Sequence, residues 1–185
     1  KTAMQTTTKS ASAKASQASG EDAFSVLTTD HRAVETMYKQ YDKLAKTKAS
    51  VSERQRLAQQ ICAELSAHLQ AEEEIFYPAL RSELKDQGML DEADVEHESV
   101  ESLISQIMAM GADEEKYDAK VSVLCEYVAH HVKEEEEEMF PQARRLKSID
   151  WIAMGEKIVS RKEKLLARKV NLAGKEKAAK KTSSK

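Results

Sequence analysis

This chain has little of the punctuation and stapling that many folds depend on. Its 185 residues include only 5 Gly, 2 Pro and 2 Cys, and aromatics make up 5%. A composition so poor in turn formers reads helical, and β-sheet is not expected. Two cysteines are too few for a disulfide framework, and neither belongs to a CxxC pair. Cys62 and Cys125 read instead as buried thiols of a reducing compartment, which makes the cytoplasm the expected location. No apolar run approaches the roughly 18 residues of a membrane span, and the N-terminus has no apolar signal core, so no membrane contact is expected. Ordinary hydrolase or transferase chemistry has no footing either, because no nucleophile-base pair or phosphate-cradling loop is present.

What the chain does have is charge, at 33%, together with 41% hydrophobic residues, enough for the core of one domain with tails. The charge is unevenly spread. Residues 1–20 hold three Lys and no acid, residues 161–185 hold ten Lys/Arg against two Glu, and the stretch between carries 16 bases against 30 acids. An acidic body with basic ends assigns any weak polyanion contact to the tails. The Ser/Thr/Ala/Lys-rich residues 1–20 and the basic residues 171–185 are expected to be disordered.

The body contains an internal repeat. Shifting HLQAEEEIFYP (68–78) by 63 positions onto HVKEEEEEMFP (131–141) aligns Cys62 with Cys125, His68 with His131, Glu72 with Glu135, Glu73 with Glu136, Pro78 with Pro141 and Arg81 with Arg144. In each copy a His precedes a Glu by four residues, a spacing that stacks both side chains on one helix face.

Apolar periodicity predicts four long helices over about 22–46, 51–84, 90–110 and 113–146, with Ser50 or Ser52 capping the second, Pro78 kinking its end and Gly111 closing the third. Long amphipathic segments with short connections specify an all-α, up-down-up-down four-helix bundle over 21–147. A fifth segment, 148–170, carries Trp151, Met154, Ile158 and Leu165 at helical spacing and is expected to pack as an additional C-terminal helix.

Each bundle helix places one histidine on its apolar stripe: His31, His68, His97 and His131. Glu72, Glu101 and Glu135 follow three of them by one turn. Burying such groups without partners costs several kcal/mol each, so a core of this kind implies shared cations or a dense hydrogen-bond network. Imidazole with carboxylate suits iron, manganese or zinc, and two carboxylates between two groups of histidines can bridge two metals. The Glu-x-x-His order of ferritin-like sites is absent, since Thr28, Leu65, Asp94 and Val128 stand three residues ahead of the histidines. His130, about 100° off the stripe, belongs at the rim. Tyr127 and Glu64, each one turn before a stripe histidine, are candidates to hydrogen-bond it.

The motifs DHR (30–32), HLQAEEEIFYP, EH (96–97) and HHVKEEEEEMFP together resemble a hemerythrin-like HHE cation-binding domain over about residues 22–146. The resemblance implies a bundle around two oxo- or hydroxo-bridged iron ions that bind dioxygen or, in relatives, sense oxygen or iron or handle peroxide or nitric oxide. His31 and His68 would then ligate one iron, His97 and His131 the other, with Glu72 and Glu135 bridging. One departure stands out: classical hemerythrins have a second His one turn after the third-helix ligand, where this chain has Glu101. A ligating carboxylate there would favour the ferric state. The functional expectation is an oxygen-binding or oxygen-reactive di-iron protein rather than a dedicated enzyme, with peroxide degradation as a side activity. The alternative is an iron- or oxygen-responsive regulator whose output runs through the C-terminal helix and basic tail.

Overall fold

The computed structural model describes residues 20–182, with side chains to residue 168. Among the described residues there is no strand. Helix α1 spans Ala23–Lys46, and Asp22 caps it by accepting from the Ser25 amide at 2.8 Å. Helix α2, Val51–Ala71, starts in a reciprocal capping box between Ser50 and Glu53. It passes without a break through a π-helical turn, Glu72–Phe76, into α3, Tyr77–Glu83. Helix α4 is Gly88–Met108. Helix α5, Tyr117–Glu134, again runs through a π turn, Glu135–Met139, into α6, Phe140–Ala143.

The two π turns explain what the prolines do. Pro78 and Pro141 lack an amide hydrogen, and their rings would clash with a carbonyl four residues back in a regular helix. One extra residue in the preceding turn relieves this, and the amides of Tyr77 and Phe140 bond the carbonyls of Glu72 and Glu135, five residues back. The expected kink at Pro78 is therefore a widened turn in a continuous rod. Gly111 does not close α4 through a left-handed residue; α4 ends at Met108 with Ala109 as its C-cap, and the only positive φ values fall at Lys48 and Lys116 among the described residues.

Around the bundle, α1 packs on α2, α2 on α4, α4 on α5 and α5 on α1. Two apolar clusters fill its ends. One gathers Phe24, Phe76, Phe140, Leu80 and Leu90, and the other Tyr41, Ile61, Leu65, Tyr117 and Leu124. Each stripe histidine lies in sequence between a residue of one cluster and a residue of the other: Leu27 and Val34 flank His31, and Ala93 and Val100 flank His97. The polar centre is thereby sealed between two dry layers. Cys62 and Cys125 sit in the second cluster, away from the histidines, where burial and the neighbouring Cys62 push the Cys125 thiol up to about 12.

Helix α7, Trp151–Thr182, lies against α1, α2 and the first π turn. Its approach to the start of α1 requires Gly155, where a Cβ would stand 2.3 Å from the Glu21 carbonyl oxygen. The helix continues to Thr182, beyond the end expected near Val170, because 171–182 is rich in the strong helix formers Ala, Lys and Glu. The expected N-terminal tail lies outside the described residues, Gly20 excepted, as do 183–185. No helix among the described residues is long and apolar enough to cross a membrane.

Candidate metal centre

The bundle brings six of the seven predicted site residues together. His31, His68, His97 and His131 are each 5% exposed or less, and Glu72 and Glu135 are at 0% and 1%. All four histidines turn Nε2 inward. His31 and His68 face each other at 3.2 Å between Nε2 atoms, and His97 and His131 at 3.1 Å. Between these pairs lie the two carboxylates. Glu72 places one oxygen 3.2 Å from His68 Nε2 and the other 3.6 Å from His97 Nε2. Glu135 Oε2 lies 3.4 Å from His31 Nε2 and 3.6 Å from His131 Nε2. Two donor groups result, His31–His68–Glu72–Glu135 and Glu72–His97–His131, which meet at Glu72.

Glu101 is the exception. It is exposed and belongs to neither group. In α4 the inward face runs through Ala93, His97, Val100 and Ile104, so the buried neighbour of His97 is Val100 and position 101 falls on the solvent side. Its expected role as a ligand is not supported. His130 is exposed at the rim as predicted, against Glu134 at 3.1 Å.

Behind each histidine stands a carboxylate to which the sequence assigned no role at the site. His31 Nδ1 meets Glu136 at 2.8 Å, His68 Nδ1 meets Asp30 at 3.3 Å, His97 Nδ1 meets Glu73 at 2.9 Å, and His131 Nδ1 meets Glu96 at 2.8 Å. These contacts form a closed circuit: α1 serves α2, the π turn after α2 serves α4, α4 serves α5, and the π turn after α5 serves α1. A carboxylate on Nδ1 fixes the tautomer that leaves the Nε2 lone pair free to bind a cation. The sequence does carry a signal, since each outer carboxylate is the chain neighbour of an inner group: Asp30-His31, Glu72-Glu73, Glu96-His97 and Glu135-Glu136.

Tyr77 was missed as well. Its buried hydroxyl donates to Glu135 Oε1 at 2.9 Å and lies 3.2 Å from His97 Nε2. Five residues after Glu72 it would sit about 140° away on a regular helix. The π turn returns it to the same face. The repeat has Phe140 at the equivalent position, so the two halves are not identical. Tyr127, by contrast, is 51% exposed and turns away from the site, while Glu64 is half-buried with no contact to His68.

The electrostatics follow from this asymmetry. Burial and the charge of Glu135 raise the Glu72 pKa, and the pull of His68 does not cancel them. For Glu135 burial acts upward too, but the His31 contact and the His131 charge prevail and hold it at about 2. Burial disfavours the His68 imidazolium, yet Glu72 and the Asp30 contact outweigh it and raise the group to about 10. His97 goes the other way, to about 3, through burial and the adjacent His131.

The donor set fits a pair of cations. Both oxygens of Glu72 and Oε2 of Glu135 are buried without a hydrogen-bond partner. Each such acceptor costs about 1–3 kcal/mol, more when charged, and a cation at the inner face would offset that cost. Beside His31, His68 and His131 lies an apolar void of about 10 Å³ lined by Val34, Leu65, Val100 and Val128, and a groove of about 400 Å³ between α1 and α5 reaches His31 from outside.

A four-helix bundle enclosing paired histidine-carboxylate groups defines the class: a cation-binding helical domain with its site at mid-bundle. Within that class the chain belongs to the hemerythrin HHE cation binding domain family, whose model matches residues 22–143. A crystal structure of a hemerythrin HHE cation binding domain-containing protein from Mycobacterium kansasii is similar in fold, with a TM-score of 0.67 and 24% identity over 82% of this chain and 91% of that one. A DNA nickase from Nostoc sp. is 34% identical over 85 residues, which cover 46% of this chain and 24% of that protein.

Proposed function

We propose that the chain holds two iron ions, oxo- or hydroxo-bridged, and that this centre binds or reacts with dioxygen or a related small oxidant such as peroxide or nitric oxide. The observation that carries the reading is the convergence of four Nε2 atoms on two buried carboxylates whose inner oxygens have no hydrogen-bond partner. His31 and His68 would hold one ion, His97 and His131 the other, and Glu72 and Glu135 would bridge. When bound, two adjacent ferrous ions supply two electrons to an oxidant.

The protein's own groups do the rest. The outer carboxylates orient the imidazoles, and the two apolar clusters exclude water. The Tyr77 hydroxyl is the one neutral proton donor facing the inner groups among the described residues, and burial with the Glu135 charge raises its pKa so that it stays protonated. The small apolar void has room for about one water-sized molecule and suits a diatomic ligand better than an organic substrate. Buried thiols are consistent with a cytoplasmic setting.

Metal analysis of protein expressed in iron-replete cells tests the reading. About two irons per chain and near-ultraviolet oxo-bridge absorption are expected. One tightly held zinc with no iron uptake would refute it. A second reading, regulation through α7, is favoured by the ion pair between Lys162 and Asp30, which joins that helix to a site histidine.

A further inference from the structure

The four outer carboxylates are held in different ways. Glu136 pairs with Arg32, a half-exposed side chain of the bundle itself. Glu96 has only the exposed His130 at 3.7 Å, and Glu73 contacts no cation other than its histidine among the described residues. Among the described residues, Asp30 alone of the four is held by an element outside the bundle: its Oδ1 pairs with Lys162 Nζ of α7, while its Oδ2 faces His68 Nδ1 at 3.3 Å. This contact is enclosed, with the Lys162 side chain 12% exposed and that of Asp30 17%. The adjacent Arg161 makes a two-pronged contact with Glu74 in the first π turn at 2.6 and 2.8 Å. Helix α7 thus touches the rear of one half of the centre, and no side chain of α7 with a described position contacts Glu73 or Glu96.

We propose that Lys162 is a positioning residue for His68, acting through Asp30, and that docking of α7 decides whether the His31–His68 half of the centre retains its cation. The proposal rests on the two-cation reading above. The physical reason lies in the shape of an aspartate. With one methylene between backbone and carboxylate, Asp30 has two oxygens in opposed directions; the ammonium pins one, and the other then points at the imidazole. Without Lys162 the carboxylate turns toward solvent at the helix surface, and His68 loses the acceptor that fixes its ring and its tautomer. Among the described residues, no side chain of α7 contacts the carboxylates behind His97 and His131. The chain would accordingly carry a centre whose halves respond differently to whatever displaces α7.

The test is calorimetric titration of the metal-free full chain with Co(II), following the absorption of each bound ion. Wild type is expected to take up about two ions per chain in two steps. Lys162→Met should keep one step unchanged and weaken the other by up to about 10-fold, the lower end of the effect of removing the carboxylate partner of a metal-binding histidine outright, since Lys162 acts only through Asp30. Lys162→Arg should restore both, and Lys39→Met, which removes the exposed pair with Glu35 on α1, should change neither. Circular dichroism checks that helix content is preserved, and if the Met variant does not fold, Lys162→Gln is read in its place. Two unchanged steps, or two steps weakened together, would overturn the role of Lys162. Wild type binding fewer than two ions would instead overturn the two-cation reading, and this proposal with it.

Discussion

Glu72 and Glu135 occupy equivalent places in the repeat, yet the structure gives their neutral variants opposite effects on the metal-free protein. Glu72 has a raised pKa, so its ionised form is disfavoured on folding; the penalty is present at neutral pH and disappears only as the pH falls below the folded value. Neither of its oxygens has a well-formed hydrogen bond, and the pull of His68 Nε2 at 3.2 Å does not outweigh burial and the Glu135 charge. Glu72→Gln keeps the shape and removes the charge. It should stabilise the metal-free chain by about 2 kcal/mol, the middle of the range for one uncompensated buried acceptor. For a chain of this size that raises Tm by about 4–8 °C. Glu135 is the reverse case. Its pKa is held at about 2, so its stabilisation is present above the ordinary carboxylate range and lost as the pH falls through about 2. Tyr77 donates to it, and His31 and His131 flank it. Glu135→Gln should destabilise the chain by about 1.5–3 kcal/mol, the worth of a hydrogen bond to a charged group, and so lower Tm by several degrees. Scanning calorimetry of the metal-stripped proteins at neutral pH measures both. In iron-loaded protein the two variants should behave alike, each losing the stability gained through metal binding. Metal-free variants shifting in the same direction would refute the reasoning.

Three further outcomes are expected. His68, held at about 10, is an imidazolium in the metal-free protein at neutral pH and must lose its proton to ligate, so loading should release at least about one proton per chain; titrations in buffers of different protonation enthalpy count it, and zero release contradicts the assignment. Glu101→Ala should leave metal content and spectrum unchanged because position 101 is exposed, whereas loss of an ion would restore it as a ligand. Truncation after Val170 removes five of the ten basic residues of 161–185 and should weaken retention on DNA or heparin and flatten its salt dependence; equal retention at low salt would remove the proposed polyanion contact.

The helices and the inward face of each were legible in the sequence because both depend on local register. A 3.6-residue period decides which side chains share a face, whichever neighbours a helix later meets. That is why four histidines and two glutamates could be placed at the centre, and why His130 could be left at its rim. The same logic failed where the register changed or a partner was needed. Glu101 has the same four-residue offset as Glu72 and Glu135, but α4 packs with His97 and Val100 inward, a rotation set by its neighbours, and that leaves Glu101 exposed. Tyr77, five residues after Glu72, shares its face only because a π turn lies between them.

The amino-acid sequence by itself thus determined the bundle, its repeat and the inner donors, since each of these is a property of one helix at a time. Only the tertiary structure decided which carboxylate stands behind which histidine, because each of Asp30, Glu73, Glu96 and Glu136 serves a different helix from its own. It also decided that Lys162 of α7 reaches Asp30. Contacts of this kind depend on the rotation and depth at which two helices pack, and those follow from the fit of whole apolar faces rather than from the spacing of residues along either chain segment.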